Sequence, residues 1–261
     1  MKWPVIVMLL VSATASAAYP TSFSNAKSKA EKEVYFDHLQ TFYCGCDYVF
    51  DDIEDLDGDG NKHETMINPL KCGYTPRNPK TKRGKINQRA SRIEWEHIMP
   101  AHLFGGQLDE WVNKHNHPEC KKNNGKFISG RDCAYKLNPA FKKAHDDLNN
   151  LVPAVGELNG DRSNYDFAVI DGEERIYGHC DFEVDFEHDL AEPADDVKGD
   201  VARVYFYMIE AHQAQVDDDT LALMRDWSLL DPVSAWECER NRRIEAAQGV
   251  GNRYVFEQCT E

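Results

Sequence analysis

Apolar residues recur at helical spacing along the last third of the chain, between short polar connections. Residues 201–216 and 220–229 carry apolar positions three or four apart, which is typical of helices with one buried face. A third helix is predicted to open at Asp231-Pro232, an N-cap and first-turn pair, and Gly249 supplies its stop. The C-terminal third is therefore predicted to be helical.

The middle of the chain shows shorter patterns. Residues 28–41 predict an amphipathic helix, residues 92–99 a short strand, and residues 138–148 a helix that begins at Asn138-Pro139. The stretch P-A-V-G-E-L-N-G-D-R-S-N at residues 153–164 is rich in Gly and Asn and predicts a loop. The fold class is therefore α+β, mixed and helix-rich. No Pro/Gly/Ser-rich linker divides the chain, so we expect one domain over residues 19–261.

The start of the chain has the pattern of an export signal. Lys2 is followed by an apolar run at residues 3–11 and by the small-residue stretch T-A-S-A-A, which offers cleavage after Ala17 or Ala18. The apolar run is shorter than the roughly 18 residues that a membrane-spanning helix needs. We expect residues 1–18 to be a signal peptide and the mature protein to be periplasmic or secreted, without a membrane contact.

Cysteine content supports this location. An even number of cysteines in an exported chain predicts a disulfide framework, because the periplasm and the medium are oxidising. The C-G-C spacing at residues 44–46 differs from the C-x-x-C of zinc and redox sites, so zinc is not favoured. Eight cysteines allow about 105 pairings, and spacing alone does not choose among them. They are Cys44, Cys46, Cys72, Cys120, Cys133, Cys180, Cys238 and Cys259.

The charge is unevenly distributed. The net charge of -15, taken alone, argues against a nucleic-acid partner. Residues 71–92, however, contain no acidic residue, and their unmixed positive charge is suited to gripping phosphates, although most charge runs are solvated surface. We call this stretch the basic tract. Its cations are Lys71, Arg77, Lys80, Lys82, Arg83, Lys85, Arg89 and Arg92.

An acid–histidine cluster, Glu94, Glu96 and His97, follows the basic tract directly. Carboxylates ligate Mg²⁺ or Ca²⁺, and a histidine can take a proton from water near neutral pH. Glu96 and His97 can serve one phosphate only if the strand ends or bulges here, and Pro100 favours an ending. The cluster is not H-E-x-x-H, so a zinc protease is not favoured. The alternative is that His97 is an ordinary half-buried histidine and that the glutamates are solvated.

The stretch R-I-E-W-E-H-I-M-P-A resembles the active-site segment of the bacterial endonuclease I family, the periplasmic and secreted non-specific nucleases of gamma-proteobacteria. Further blocks follow the same order along nearly all of the mature chain, which excludes a chance match. They are F-Y-C-G-C-D at 42–47, G-R-D-C-A at 130–134, D-L-N-N-L-V-P-A-V-G-E-L-N-G-D-R-S-N-Y at 147–165, A-R-V-Y-F-Y-M at 202–208, P-V-S-A-W-E-C-E-R at 232–240 and Q-G-x-x-N at 248–252.

The resemblance implies a mixed α/β fold with a ββα-metal, or His-Me finger, active site. By this resemblance His97 is the general base, Glu96 ligates one Mg²⁺, and the finger's helix adds an asparagine ligand, which the D-L-N-N-L-V-P match places at Asn150, with Asn149 as second choice. Arg131 in G-R-D-C is expected to steady the scissile phosphate. Mn²⁺ or Ca²⁺ is expected to substitute for Mg²⁺, and the products should carry 5′-phosphates.

The resemblance also implies how the rest of the molecule takes part. The partner is expected to be the backbone of DNA and of RNA, gripped by a monomer without reading sequence. Cys120 is expected to pair with Cys133 and Cys238 with Cys259, and the remaining four cysteines to form two more bridges. The cations expected to hold flanking phosphates are Lys82, Arg83, Lys85, Arg89 and Arg92.

One acidic segment, residues 51–64, departs from the family. It contains the opening D-x-D-x-D-G of an EF-hand-like calcium loop, but Met66 stands at the twelfth position, where such loops use glutamate. A structural Ca²⁺ and a solvated acidic turn are therefore both open. The residues of this calcium loop would be Asp55, Asp57, Asp59 and Asn61.

The acidic body and the basic tract also predict a response to salt. Distant carboxylates repel DNA at low ionic strength and are screened as salt rises, so we expect a salt-tolerant enzyme. The alternative function is that of an exported binding protein with a nuclease-like fold and no turnover. The intact Glu96, His97 and Asn150 argue against this alternative.

Overall fold

A computed structural model describes residues 18–51, 64–172 and 174–259. The expected calcium loop lies outside the described residues, as does the expected signal peptide up to residue 17. The described strands are β1 (Tyr48–Asp51), β2 (Glu64–Ile67), β3 (Ile93–His97), β4 (Leu151–Val155), β5 (Asp166–Phe167), β6 (Phe182–Asp185) and β7 (Leu190–Pro193). The described α-helices are α1 (Phe23–Lys29), α2 (Pro69–Cys72), α3 (Ala101–Gly105), α4 (Asp109–Val112), α5 (Gly130–Leu137), α6 (Pro139–His145), α7 (Gly156–Arg162), α8 (Asp195–His212), α9 (Asp218–Leu230), α10 (Ala235–Gln248) and α11 (Arg253–Phe256).

The strand predicted at the acid–histidine cluster is β3, and it pairs antiparallel with β4. Ile93 lies opposite Val155 and His97 opposite Leu151, so the two strands match from end to end. Residues 98–150 leave β3 directly after His97, form α3 to α6, and return at the start of β4. The strand is therefore confirmed but ends at His97, two residues before the predicted end at residue 99.

Residues 153–162 form the end of β4 and the helix α7, so the loop predicted over residues 153–164 is wrong except for its last two residues. The glycines of this helix serve close packing. A Cβ on Gly156 would stand 2.8 Å from the backbone oxygen of Arg89, and a Cβ on Gly160 would stand 2.3 Å from its Nη1. Because α7 follows β4 immediately, β3, β4 and α7 form a ββα arrangement with the segment 98–150 inserted between the strands.

The C-terminal third is helical, as predicted, with shifted boundaries. Helix α8 begins at Asp195, earlier than its apolar face predicted, and packs along α9. Helix α10 begins after Ser234, whose hydroxyl accepts from the backbone N–H of Glu237, so the expected N-cap at Asp231 is wrong. Its predicted stop is confirmed, since Gly249 has a φ of 81°.

A small sheet packs near these helices. Strand β7 lies between β5, which is parallel to it, and β6, which is antiparallel. Phe167 on β5 contacts Tyr205 on α8 and Trp227 on α9, with ring centroids 6.2 Å and 5.8 Å away. All three rings are buried, so they join the sheet to the helices in one apolar core.

The N-terminal helix starts earlier than the sequence predicted. Ser22 caps it by accepting from the backbone N–H of Asn25, and α1 then continues as a π-helical turn at Ala30–Val34. Helical structure ends there, short of the predicted residue 41. The start matters for the site, because it brings Phe23 to the wall of the cavity described below.

Four disulfides connect all eight cysteines. Cys120–Cys133 and Cys238–Cys259 confirm the two expected pairs, and the remaining bridges are Cys44–Cys180 and Cys46–Cys72. The Cys44–Cys180 bridge spans 136 residues and ties the segment before β1 to the segment before β6. In the part of the chain that the structure describes, no helix is both long and apolar enough to cross a membrane.

Candidate active site

A cavity of about 530 Å³ opens where β3 and α7 end. Glu96, His97, Arg89 and Arg131 lie in its wall, so the structure brings four of the sequence-predicted residues together. The full lining consists of Phe23, Arg89, Glu94, Trp95, Glu96, His97, Pro100, Ala101, His102, Trp111, Arg131, Asn159, Gly160, Ser163 and Asn164.

The protonation state of His97 follows from its hydrogen bond. Its Nε2 lies 2.7 Å from the backbone oxygen of His145, and a carbonyl oxygen only accepts, so Nε2 carries the proton and Nδ1 does not. Burial lowers the pKa of His97 well below its ordinary value, and the neighbouring His145 and Arg131 lower it further. The imidazole is therefore neutral near pH 7, with Nδ1 able to accept a proton.

Arg131 reaches the same space from the first turn of α5. Its Nη2 lies 2.8 Å from Nε2 of His145 and 3.5 Å from Nδ1 of His97. The fixed positive charge therefore stands beside the unprotonated nitrogen, where an anionic group would be stabilised.

Glu96 is held by groups that bind the same carboxylate oxygen. Oε1 accepts from the hydroxyl of Tyr43 at 3.1 Å and from Nη1 of Arg162 at 3.2 Å. Burial raises the pKa of Glu96 to about 7, although Arg162 and Tyr43 act in the opposite direction. A cation in the cavity would favour the ionised carboxylate further.

Arg162 fixes the strand end as well. The last residue of α7 is fully buried, and its guanidinium also donates to the backbone oxygens of His97 at 3.0 Å and Ile98 at 2.7 Å. The helix that follows the strand pair is thus tied to the point where β3 ends.

Asn150 does not have the surroundings expected of a metal ligand. It is fully buried in the turn before β4, where its Oδ1 accepts from the backbone N–H of Met99 at 2.8 Å and its Nδ2 donates to the backbone oxygen of Met99 at 3.0 Å. Both ends of the amide are used inside the protein. The structure therefore places Asn150 before α7, where its side chain joins the end of β3 to the start of β4.

The asparagine that the helix does present is Asn159. It lies on α7, partly buried, in the wall of the cavity that also holds Glu96 and His97. Its position on a helix is not evident from the sequence, because the Gly and Asn content of residues 153–164 predicts a loop. Asn149, the second choice, does not line this cavity, and its Nδ2 donates to Oδ1 of Asp147 and to the backbone oxygen of Val250.

The donors fit a hard cation. The described residues contain no group of three or more His, Cys, Asp or Glu that could hold a metal. Mg²⁺ does not require one, since it binds through one or two carboxylates and keeps several waters. The carboxylate of Glu96 and the amide oxygen of Asn159 are oxygen donors in one wall, and they do not resemble the Cys/His sets of zinc.

The basic tract divides into two parts. Arg89 and Arg92 both pair with Glu94, at 2.6 Å and 3.3 Å, so the cations nearest the cavity are partly neutralised. Farther along, Lys80 and Ile86 pair in a small hairpin with Gly84 at φ 76° in its turn. The exposed cations of this hairpin are Lys80, Lys82, Arg83 and Lys85, of which the last three belong to the predicted phosphate contacts.

Other residues that shape the site were also missed. Tyr43 and Arg162 stand in sequence blocks quoted above, but no local pattern distinguishes a buried arginine from a surface one. Phe23 stacks on His97, with ring centroids 5.5 Å apart and planes 21° apart. His145 has no motif around it, and only the fold places it beside Arg131.

Known proteins resemble the chain over this whole region. A family model described as Endonuclease I matches residues 20–259, which include every residue of the cavity wall. An extracellular deoxyribonuclease of Aeromonas hydrophila is 38% identical over 96% of this chain and 95% of its own length. A periplasmic deoxyribonuclease of the same organism is 37% identical over 96% of this chain and 92% of its own length. Endonuclease-1 of Buchnera aphidicola subsp. Acyrthosiphon pisum is 32% identical over 84% of this chain and 74% of its own length.

The role of Arg162 can be tested by stability. Arg162→Met leaves Glu96 buried without its cation, so we expect the free energy of unfolding to fall by about 3–5 kcal/mol, measured by urea denaturation. Arg89→Met is the matched control, because the partly exposed pair with Glu94 is worth at most about 1 kcal/mol. Equal losses in the two variants would show that burial does not make the Arg162 contact special.

Proposed function

Because this chain belongs to the endonuclease I family, we propose that it is a sequence-non-specific endonuclease that hydrolyses phosphodiester bonds of DNA, and also of RNA. The observation that carries the proposal is the neutral imidazole of His97, whose unprotonated Nδ1 faces Arg131 in the wall of a polar cavity. A base, a cation and a carboxylate in one cavity are the groups that hydrolysis of a phosphodiester needs.

His97 acts as the general base in this proposal. Its Nε2–H stays bonded to the oxygen of His145, so the ring keeps its orientation while Nδ1 takes a proton from the attacking water. The protonated ring then carries a positive charge next to Arg131, which favours passing the proton on to solvent after the reaction. Arg131 donates to the scissile phosphate and stabilises the negative charge that grows there.

One Mg²⁺ would be held by Glu96 and Asn159, with Mn²⁺ or Ca²⁺ as substitutes. When bound, it supplies positive charge next to the phosphate and the departing 3′ oxygen, which leaves a 5′-phosphate on the product. Tyr43 and Arg162 hold Glu96 in place for this task. Asn159 takes the role that the sequence had assigned to Asn150.

The substrate is held through its backbone. Lys82, Arg83 and Lys85 on the exposed hairpin, with Arg89 and Arg92 closer to the cavity, contact flanking phosphates. Such contacts carry no sequence information, so cleavage is non-specific, and a 2′-hydroxyl does not prevent them. The enzyme acts as a monomer in the periplasm or outside the cell, after removal of residues 1–18.

His97→Ala tests the proposal directly. We expect turnover of plasmid DNA with Mg²⁺ to fall by about 10² to 10⁴, because the variant loses its general base but none of the phosphate contacts. DNA binding measured in EDTA should be nearly unchanged. His188→Ala is the control, because His188 is an exposed histidine on the turn between β6 and β7. If the unaltered protein binds DNA but never cleaves it with Mg²⁺, Mn²⁺ or Ca²⁺, the inactive binding protein is the correct alternative.

The two asparagines give opposite predictions. Asn159→Ala should raise the Mg²⁺ concentration for half-maximal activity by about 10- to 100-fold with unchanged stability, because it removes a cation donor. Asn150→Ala should instead destabilise the fold by about 1–3 kcal/mol, since it leaves the backbone N–H and C=O of Met99 buried without partners. Magnesium titrations of activity measure the metal requirement of both variants, and urea denaturation measures their free energies of unfolding. The reverse pattern would return the ligand to Asn150.

The salt dependence follows from the net charge of -15. The Debye length falls from about 30 Å at 0.01 M to about 8 Å at 0.15 M, so the repulsion between distant carboxylates and DNA fades before the short-range grip does. We expect kcat/KM on duplex DNA to peak at a few tenths molar NaCl at fixed Mg²⁺, as an order of magnitude. A steady decline from 10 mM NaCl upward would mean that the acidic surface does not affect substrate capture.

A further inference from the structure

His145, at the end of α6, contacts two residues of the proposed chemistry: His97, the general base, and Arg131, which donates to the scissile phosphate. Its backbone oxygen accepts from Nε2 of His97 at 2.7 Å, and its imidazole Nε2 lies 2.8 Å from Nη2 of Arg131. The side chain is buried, and no part of the proposed reaction uses it directly. One residue therefore meets the base through its backbone and the arginine through its ring.

The chemistry of the second contact fixes the tautomer of His145. An arginine guanidinium only donates, so Nε2 of His145 must be the unprotonated nitrogen. The proton then sits on Nδ1, which donates to Oδ1 of Asp146 at 2.9 Å. Burial lowers the pKa of His145, which agrees with a neutral ring that accepts from Arg131.

A chain of hydrogen bonds on the Nδ1 side of His145 fixes the orientation of its ring. The other oxygen of Asp146 accepts from the hydroxyl of Tyr135 at 2.7 Å, and that hydroxyl accepts from the backbone N–H of Phe23 at 2.8 Å. Asp146 is fully buried, so its two oxygens need these donors. Since each group has its donor and acceptor roles set by the next, His145 is not free to turn its protonated nitrogen toward Arg131.

The contact also protects the base. Nη2 of Arg131 lies 3.5 Å from Nδ1 of His97, close enough to donate to it after a small shift. Such a shift would occupy the lone pair that has to take a proton from water. The shorter bond to His145 draws the guanidinium the other way, so Nδ1 of His97 remains accessible.

From this geometry we propose that His145 is a positioning residue that acts through Arg131: its imidazole accepts from the guanidinium, aims it at the scissile phosphate and keeps it off Nδ1 of His97. This inference rests on the proposed nuclease function. It assigns a task to His145 and to its partner Asp146, neither of which touches the phosphate.

Two substitutions separate the contacts of His145. His145→Asn places an amide N–H near the position of Nδ1, so it can still donate to Asp146 but offers no acceptor to Arg131. His145→Gln extends a carbonyl oxygen to about the position of Nε2 and retains that acceptor. We expect His145→Asn to lower kcat on plasmid DNA by about 10- to 100-fold. His145→Gln should keep most of the activity.

A double-mutant cycle shows whether the effect passes through Arg131. Arg131→Ala alone should lower kcat by about 10²- to 10³-fold, as loss of a charge-stabilising donor does. In that background His145→Asn should cost less than about 3-fold more, because the partner through which it acts is gone. A full additional 10-fold loss in the double variant would overturn the proposal, as would His145→Gln being no more active than His145→Asn.

Control variants exclude a general effect on the fold. His188→Asn makes the same substitution in another histidine–aspartate pair, with Nδ1 bonded to Asp185 at 2.7 Å, on an exposed turn, and should leave kcat unchanged. If His145→Asn does not fold, His145→Ala with added imidazole gives the same test, because His145 lines a cavity of about 390 Å³ that imidazole can enter. Recovery of activity with imidazole supports the proposal, and its absence contradicts it.

The unaltered protein separates this inference from the nuclease function. If it cleaves no DNA, the nuclease function fails. If it cleaves DNA and the His145 variants are equally active, only this inference fails.

Discussion

The buried guanidinium of Arg162 holds together the two elements that make up the site. It stands at the last residue of α7 and binds Glu96 and the backbone oxygens of His97 and Ile98 at the end of β3. A charge buried in this way is costly unless it stays paired, so α7 cannot slide along β3 without a large loss of free energy. Asn159 lies one turn earlier on the same helix, and its position relative to Glu96 is therefore fixed by the same contact.

The beginning of β4 is secured by a second buried arginine. Arg240 on α10 donates to the backbone oxygens of Leu148, Asn149 and Leu151, in the irregular turn that leads into the strand. Backbone carbonyls outside regular structure need partners when they are buried, and a guanidinium can satisfy several at once. Both ends of the strand pair that meet at the cavity are thus held by arginines, which explains why so polar a region lies inside the protein. The fixed strand end allows His97 to keep its position without a bound substrate.

The sequence was informative where the pattern is local. The short strand ending at His97 and the helices of the C-terminal third follow from periodicity and stop signals, and the resemblance supplied two disulfide pairs. The loop predicted over residues 153–164 was wrong for a physical reason. Gly156 and Gly160 indicate a turn when only their neighbours are considered, yet they are present because α7 packs against Arg89, which lies far earlier in the chain. The hydrogen bonds of Asn150 to Met99 likewise depend on the two strand ends meeting, which no local pattern reveals.

Tertiary pairing also changes the meaning of the basic tract. In the sequence its cations are equivalent. In the structure, however, Arg89 and Arg92 form ion pairs with Glu94, and Arg77 forms an ion pair with Asp161 on α7 at 2.7 Å. A phosphate that approaches these arginines must compete with a carboxylate already in place, so they gain less from binding than a free cation would. Their advantage is orientation. The carboxylate already fixes the rotamer of the guanidinium, so binding a phosphate costs little further side-chain entropy. The cations on the exposed hairpin have a different property: they stand in solvent, where their field extends toward an approaching polyanion. The proposed function thus assigns long-range attraction and local alignment to different residues, which would let a strongly acidic protein bind a polyanion at one edge.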